Sequence, residues 1–278
     1  MLQTNNTDLQ FLDVDSGNST PVRIAYEYHA APGSTEPGMV WFPGLNSTMT
    51  STKISALKHW AAHKNRSLLC FEYSGHGSSE GEFKDGTVSR WLNESIAILK
   101  EVAIGPQVLV GSSMGAWLIL LILRAISRGD ANIQDIVTVD GVVLLAPAHD
   151  MTEELMWKEF PDEARHAIET IGHYKRPSRY EDGAYTITRE LIEDGRKHLI
   201  GDESFRPPCP VRVIHGIKDP DVPWQHANKL NHILTGEDVM LNLVQEGDHR
   251  LSRDKDIDKM FCIIEDLYEN ISRGAHFI

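Results

Sequence analysis

The sequence predicts an α/β fold, a mostly parallel sheet with helices on both faces, on three observations. Short apolar runs of strand length recur along the chain and alternate with stretches of helical period. Those runs are near-continuous, as strands covered on both faces require. One interval between two of them is too long for an ordinary crossover, so a further unit is inserted there.

The elements follow in chain order. The first 35 residues read as short alternating strands, closed by a turn at Pro32 and Gly33. The run MVWF (39–42) ends at Pro43-Gly44, and an amphipathic stretch follows from Lys53 to Lys64. SLLCFEY (67–73) breaks at Ser74-Gly75 before a helical period from Arg90 to Val102. QVLVG (107–111) leads into the apolar helix pattern AWLILLILRAI. GVVLLAP (141–147), VRVIHG (211–216) and VMLNLV (239–244) complete the strands, and a last helix begins near Asp254. Residues 1–148 and 207–278 are thus expected to form the core. Residues 149–206 form the insertion, read as a helical cap or lid because MTEELMWKEF has an amphipathic helical pattern. Insertions at the carboxyl ends of parallel strands usually carry specificity.

Composition bounds the function. The chain has 278 residues, 41% hydrophobic and 24% charged, enough apolar material for a sizeable core. The 27 Lys and Arg against 40 Asp and Glu leave a net charge of −13. That charge repels phosphates, so no nucleic-acid partner is expected. Cys70, Cys209 and Cys262 have no CxxC spacing and suggest neither a disulfide framework nor a zinc site. The N-terminus MLQTNNTDLQ has no basic or apolar leader pattern, and the longest apolar run, 116–123, is far short of the roughly 18 residues of a membrane span. A soluble, cytoplasmic protein with no stable membrane insertion is expected.

Gly111-Ser112-Ser113-Met114-Gly115 is a GxSxG sequence between a strand and a helix. A nucleophile elbow needs small residues two before and two after the serine, so that strand and helix can approach. The hydroxyl then sits at a helix N-terminus, where a developing anion is favoured. Gly77-Ser78-Ser79-Glu80-Gly81 matches the same pattern, but no apolar helix follows it. Ser113 is therefore the candidate nucleophile and Ser79 the rejected one.

A serine needs a base. Of thirteen histidines, His249 follows the last strand in a Gly247-Asp248-His249 turn, from which a late-chain base reaches back over the sheet. His215, within a strand end, reads as a structural hydrogen-bonder, and His59 and His63, four apart on one helix, as a solvated face. The orienting carboxylate is expected to be Asp219, in HGIKDPDVPW, with Asp150 and Asp221 as rivals. The order Ser…Asp…His fits one of the recurring triad arrangements. For the oxyanion, one N–H falls to Met114 and the second to the loop FPGLN, with Leu45 preferred and Asn46 the alternative.

With those residues identified, the chain resembles the α/β-hydrolase superfamily, and within it the branch of the mitochondrial palmitoyl-protein thioesterase and acyl-glucuronide deacylase with its bacterial relatives. The resemblance rests on FEYSGHGSSEG, GPQVLVGSSMGAWL, Pro177-Ser178-Arg179-Tyr180, CPVRVIHGIKDPDVPW and GDHR, spanning about residues 38 to 270. It implies an α/β-hydrolase fold with the nucleophile at Ser113, the acid at Asp219 and the base at His249. The loop PGLNSTMT and the stretch 151–172 depart from the family pattern, and its N-terminal targeting region has no counterpart here.

The expected function is a serine hydrolase cleaving acyl esters or thioesters through an acyl-enzyme, without metal or other cofactor. Its substrate would be a small-molecule ester or thioester or an acylated protein. Leu155, Met156, Trp157 and Phe160 offer an apolar face for an acyl chain or for packing the cap. Trp157 and Tyr180 are the candidate substrate contacts, and Arg176 and Arg179 could meet a carboxylate. A small-ester or lipid-ester carboxylesterase, carbon–carbon bond hydrolysis and a non-catalytic binder on the same fold are the alternatives.

Overall fold

The structure, a computed structural model, describes residues 9–15, 21–130, 133, 137–177 and 184–274. Its main sheet has eight strands in the order β1-β2-β4-β3-β5-β6-β9-β10. These are β1 (Gln10–Val14), β2 (Val22–His29), β3 (Gly38–Phe42), β4 (Leu68–Phe71), β5 (Gln107–Ser112), β6 (Val139–Leu145), β9 (Val211–Gly216) and β10 (Val239–Val244). β1 pairs antiparallel with β2, and β2 antiparallel with β4. Every other pairing in the sheet is parallel.

The continuous apolar runs have their cause in two-sided cover. Every residue of β3, β4, β5 and β9 is buried. Successive side chains point to opposite faces, and the core divides accordingly. Val40, Phe42, Leu69, Phe71 and Leu109 pack with α2 (Val88–Glu101) and α3 (Met114–Ser127). Met39, Trp41, Leu68, Cys70 and Val110 pack on the other face with α1 (Thr52–His63) and the C-terminal α8 (Asp254–Gly274). α3 is buried from Met114 through Arg124, which explains a helix apolar all round. No helix among the described residues is long and apolar enough to cross a membrane.

The insertion lies between β6 and β9. It holds a π-helical turn (Thr152–Trp157), α4 (Asp162–Ile171), β7 (His173–Pro177), β8 (Ala184–Thr188) and α5 (Arg189–Arg196). After it, α6 (Trp224–Asn228) and α7 (Leu230–Ile233) precede β10. The insertion reads as a helical cap on the pattern of MTEELMWKEF; after its helical part, β7 and β8 form a separate antiparallel ribbon, His173 opposite Thr188 through Pro177 opposite Ala184. The aromatic and β-branched residues Tyr174, Tyr185, Thr186 and Ile187 suit a pleated, half-buried surface and account for it.

β3 stands at the point where the strand order reverses, with β4 on one side and β5 on the other. In open parallel sheets that switch point leaves a crevice at the strands' carboxyl ends. The loops after β3 and β5 both open into it.

Candidate active site

Ser113 is the residue between β5 and α3, with φ 54° and ψ −114°. A positive φ strains a residue with a Cβ, so the surroundings must hold it there. They do so through its own backbone. Ser113 N donates to Leu145 O at 2.8 Å, and Ser113 O accepts from Ala116, Trp117 and Ala148 N. The flanking glycines are needed because there is no room beside them. A Cβ on Gly115 would lie 2.2 Å from Phe42 O, and one on Gly111 2.7 Å from Ala116 N.

His249 lies in the loop after β10. Its Nε2 is 3.0 Å from Ser113 Oγ and its Nδ1 2.8 Å from Asp219 Oδ2. The natural assignment has Nδ1–H donating to the carboxylate and the serine hydroxyl donating to Nε2. Asp219, in the turn after β9, is held from its other side: Oδ1 accepts from Asp221 N at 2.9 Å and Val222 N at 2.8 Å. Burial alone would raise this carboxyl, but the His249 hydrogen bond and charge and the two backbone donors hold it below the ordinary range. Asp219 stays ionised and fixes the imidazole.

The rivals are engaged elsewhere. Asp150 accepts from Ile200 N at 2.7 Å and Gly201 N at 2.8 Å, tying the end of the insertion to the end of β6. Ser79 is a bridge, its Oγ donating to Glu72 O at 2.6 Å and accepting from Ala25 N at 2.8 Å. His215 Nε2 donates to Val222 O at 2.8 Å, and burial keeps the ring neutral by lowering its pKa. His59 Nδ1 contacts Ser55 O one turn back on α1. Asp221 lines the cavity beside the triad. Asp219, Asp221 and His249 offer ligand atoms within 4.8 Å of one another. Asp219 already accepts three hydrogen bonds from its neighbours, so the donor set is a hydrogen-bonded network first.

The N–H groups of Leu45 and Met114 donate to no acceptor among the described residues. Leu45 follows Gly44 in the loop after β3, and Met114 opens α3. Asn46 has φ 56° and an exposed side chain. The loop is clamped by residues that the sequence reading passed over. Glu72 Oε1 accepts from Met49 N at 2.7 Å and its Oε2 from Ser78 N at 2.6 Å, and Tyr73 Oη donates to Pro43 O at 3.2 Å. The signal was a carboxylate placed directly after a buried strand, where an unpaired charge is costly. Lys53 was also missed; a lysine opening an amphipathic helix gives no hint of burial.

A cavity of about 350 Å³ opens over Ser113 and His249. The loop after β3 and the start of α1 supply hydroxyls to one wall, among them Ser47, Thr48 and Thr50. The insertion supplies Met151, Leu155 and Met156, together with Arg176 and Tyr185. The expected apolar face is therefore split. Met151, just before the π-helical turn, and Leu155 and Met156 within it line the cavity. Trp157 lies instead beneath the Arg196 guanidinium, 4.9 Å from ring centroid to Cζ, and does not line the cavity. Phe160 packs on Tyr174 at 5.8 Å. Tyr180 and Arg179 lie outside the described residues.

Comparison with known proteins agrees with this architecture. A family model described as "Alpha/beta hydrolase family" matches residues 31–261. Mouse (Mus musculus) mitochondrial palmitoyl-protein thioesterase ABHD10 is 34% identical over 249 residues, 88% of this chain and 79% of that protein. The structure of mouse alpha/beta hydrolase domain-containing protein 10 superposes with a TM-score of 0.80 at 32% identity, covering 95% of this chain and 99% of that one. A crystal structure from Agrobacterium vitis S4 superposes with a TM-score of 0.87 at 37% identity, covering 94% and 99%.

Proposed function

The chain belongs to the alpha/beta hydrolase family, and on that premise we propose that it hydrolyses acyl thioesters and esters through a Ser113 acyl-enzyme. The observation that carries the reading is the position of His249, one ring nitrogen on Ser113 Oγ and the other on Asp219. As Ser113 Oγ attacks the acyl carbonyl, its proton passes to His249 Nε2, and Asp219 stabilises the imidazolium. The oxyanion of the tetrahedral intermediate is accepted by Leu45 and Met114 N–H, each donor contributing about 3–4 kcal/mol. Collapse expels the thiol or alcohol, which takes the proton from His249. A water deprotonated by His249 then attacks the acyl-enzyme and releases the acid.

Residues 149–206 serve as the cap over this site. Met151, Leu155 and Met156 receive the acyl chain, and the hydroxyl-lined wall receives the leaving group. The thioester preference is supported by the similarity to a palmitoyl-protein thioesterase. A second reading, a small-ester carboxylesterase, is favoured by the modest cavity of about 350 Å³ with its half-polar wall.

Measuring kcat/KM for matched thioesters and oxygen esters over a range of acyl lengths separates the two. A preference that grows with chain length and is stronger for thioesters is the expected result. A short-chain oxygen-ester optimum assigns the carboxylesterase reading. Ligand binding without turnover of any ester overturns both.

A further inference from the structure

Lys53 occupies a position where a positive charge is doubly unfavourable. It is the second residue of α1, beside the positive end of the helix dipole, and it is 8% exposed. A charge held there needs partners, and it has two. Nζ donates to the backbone carbonyl of Arg250, the residue after His249, and lies 3.4 Å from the hydroxyl of Ser112, the residue before Ser113. Its own helix follows directly on the loop that carries Leu45. One ammonium group therefore touches the chain next to the base and the chain next to the nucleophile, from the element that continues the oxyanion loop. A third acceptor is absent among the described residues, and Lys53 forms part of the cavity wall.

We infer that Lys53 is a positioning residue of this active site, fixing the His249 loop against the Ser113 turn. The inference rests on the reading of Ser113 and His249 as nucleophile and base. Its energetic basis is that one charged donor holds both Arg250 O and Ser112 Oγ, so the stretches flanking the base and the nucleophile share a single anchor. Loss of the ammonium bridge removes one anchor of the His249 loop, leaving the His249–Asp219 hydrogen bond and the Lys218 N–H to Gly247 O to hold it, and a misplacement of about 1 Å can cost on the order of 100-fold in rate.

The charge itself is easily lost. Burial pushes the Lys53 ammonium down to about 8, and Arg250 adds to the shift. Asp248 from the same loop, Asp256 from α8 and Asp219 from the turn after β9 oppose it. The charge-assisted bonds to both partners are present below that value and weaken as pH rises through it, because the neutral amine is the poorer donor. A decline of kcat/KM on the alkaline side follows.

The test is the pH dependence of kcat and KM between pH 6 and 10 for wild type, Lys53→Arg and Lys53→Met. The rate of Ser113 phosphonylation by a fluorophosphonate is measured beside it, with Ser113→Ala as reference. Wild type is expected to lose activity as pH passes about 8. Lys53→Met should lose about 10- to 100-fold in kcat with little change in KM, and show no alkaline decline. Lys53→Arg should recover most of the rate and carry its activity to pH 10, because arginine stays charged. A Lys53→Met enzyme with wild-type kcat and an intact alkaline decline overturns the inference. So does a wild type without that decline, a result that needs no variant to fold. If Ser113→Ala itself keeps activity and labelling, the triad reading fails instead.

Discussion

Ser113, His249 and Asp219 share their residue types with a second cluster, Ser89, His198 and Asp194, where α5 of the insertion meets α2 of the body. In the first, the imidazole stands between hydroxyl and carboxylate. In the second, the hydroxyl stands in the middle: Ser89 Oγ donates to Asp194 Oδ1 at 2.8 Å and contacts His198 Nε2 at 2.7 Å. A hydroxyl has one proton, and giving it to the carboxylate makes Ser89 the acceptor of a His198 N–H. Such a histidine cannot take the serine's proton. Ser89 also sits in the regular first turn of α2, its N donating to Asp194 Oδ2 at 2.7 Å, and it lines no part of the main cavity. The Ser113 cluster thus differs in the order of its hydrogen bonds, its strained turn and its unsatisfied N–H groups over a cavity, which are the features the proposed nucleophile requires. The three residue types alone make a latch between insertion and body.

The widest contrast should come from the serines. Ser113→Ala is expected to reduce kcat on the order of 10⁶-fold. Ser89→Ala should leave kcat within about 3-fold while costing about 1–2 kcal/mol of stability, read as a Tm lower by a few degrees. Ester hydrolysis and calorimetry on the same preparations decide it; a folded Ser89→Ala enzyme without activity would break the comparison.

The aspartates sharpen it. Asp219→Asn should lower kcat by about 10⁴-fold with the fold intact, because the amide holds the imidazole in the wrong tautomer. Asp194→Asn should act on Tm instead, since Asp194 serves Ser89 and an ion pair with Lys197 at 3.2 Å. Equal losses of kcat from both substitutions would remove the distinction.

The smallest effect is the acid sensitivity of the latch. Burial is the main influence on His198 and lowers its pKa, so the folded state binds fewer protons than the unfolded chain. Its contribution is complete above an unfolded pKa of about 6.5 and is lost as pH falls below it. Burial would raise Asp194, but the Ser89 N–H and hydroxyl and Lys197 outweigh it and hold the carboxyl low. That contribution is present above an unfolded value of about 3.9 and is lost as pH falls through the lower folded value. Tm should therefore fall below pH 6.5 and again below pH 4. His198→Asn should lessen the upper step, to which the buried His76, His149, His215 and His226 also contribute, and Asp194→Asn should lessen the lower one in calorimetric scans; unchanged steps in both variants would show that the latch does not control them.

Legibility in the sequence followed the range of the interactions. The parallel strands were readable because two-sided burial forces runs such as QVLVG and VRVIHG to be apolar throughout. Ser113 was readable because the elbow's requirements, small residues at 111 and 115 between strand and helix, are local. The face that Trp157 presents was not, since it depends on a π-helical turn that the pattern of MTEELMW does not reveal. The ribbon of β7 and β8 was missed for a similar reason, its stability coming from pairing and from packing of Phe160 on Tyr174.

By itself, the sequence determined the fold class and marked Ser113, Asp219 and His249 as candidates, because each reading follows from periodicity or from turn chemistry within a few residues. Tertiary structure alone decided that Glu72 clamps the loop after β3, that Lys53 reaches Arg250 and that Ser89 joins Asp194 and His198. Those contacts connect residues between 23 and 197 positions apart. Nothing in a local pattern encodes which distant group will satisfy a buried charge; only the folded sheet with its covering helices brings the partners together.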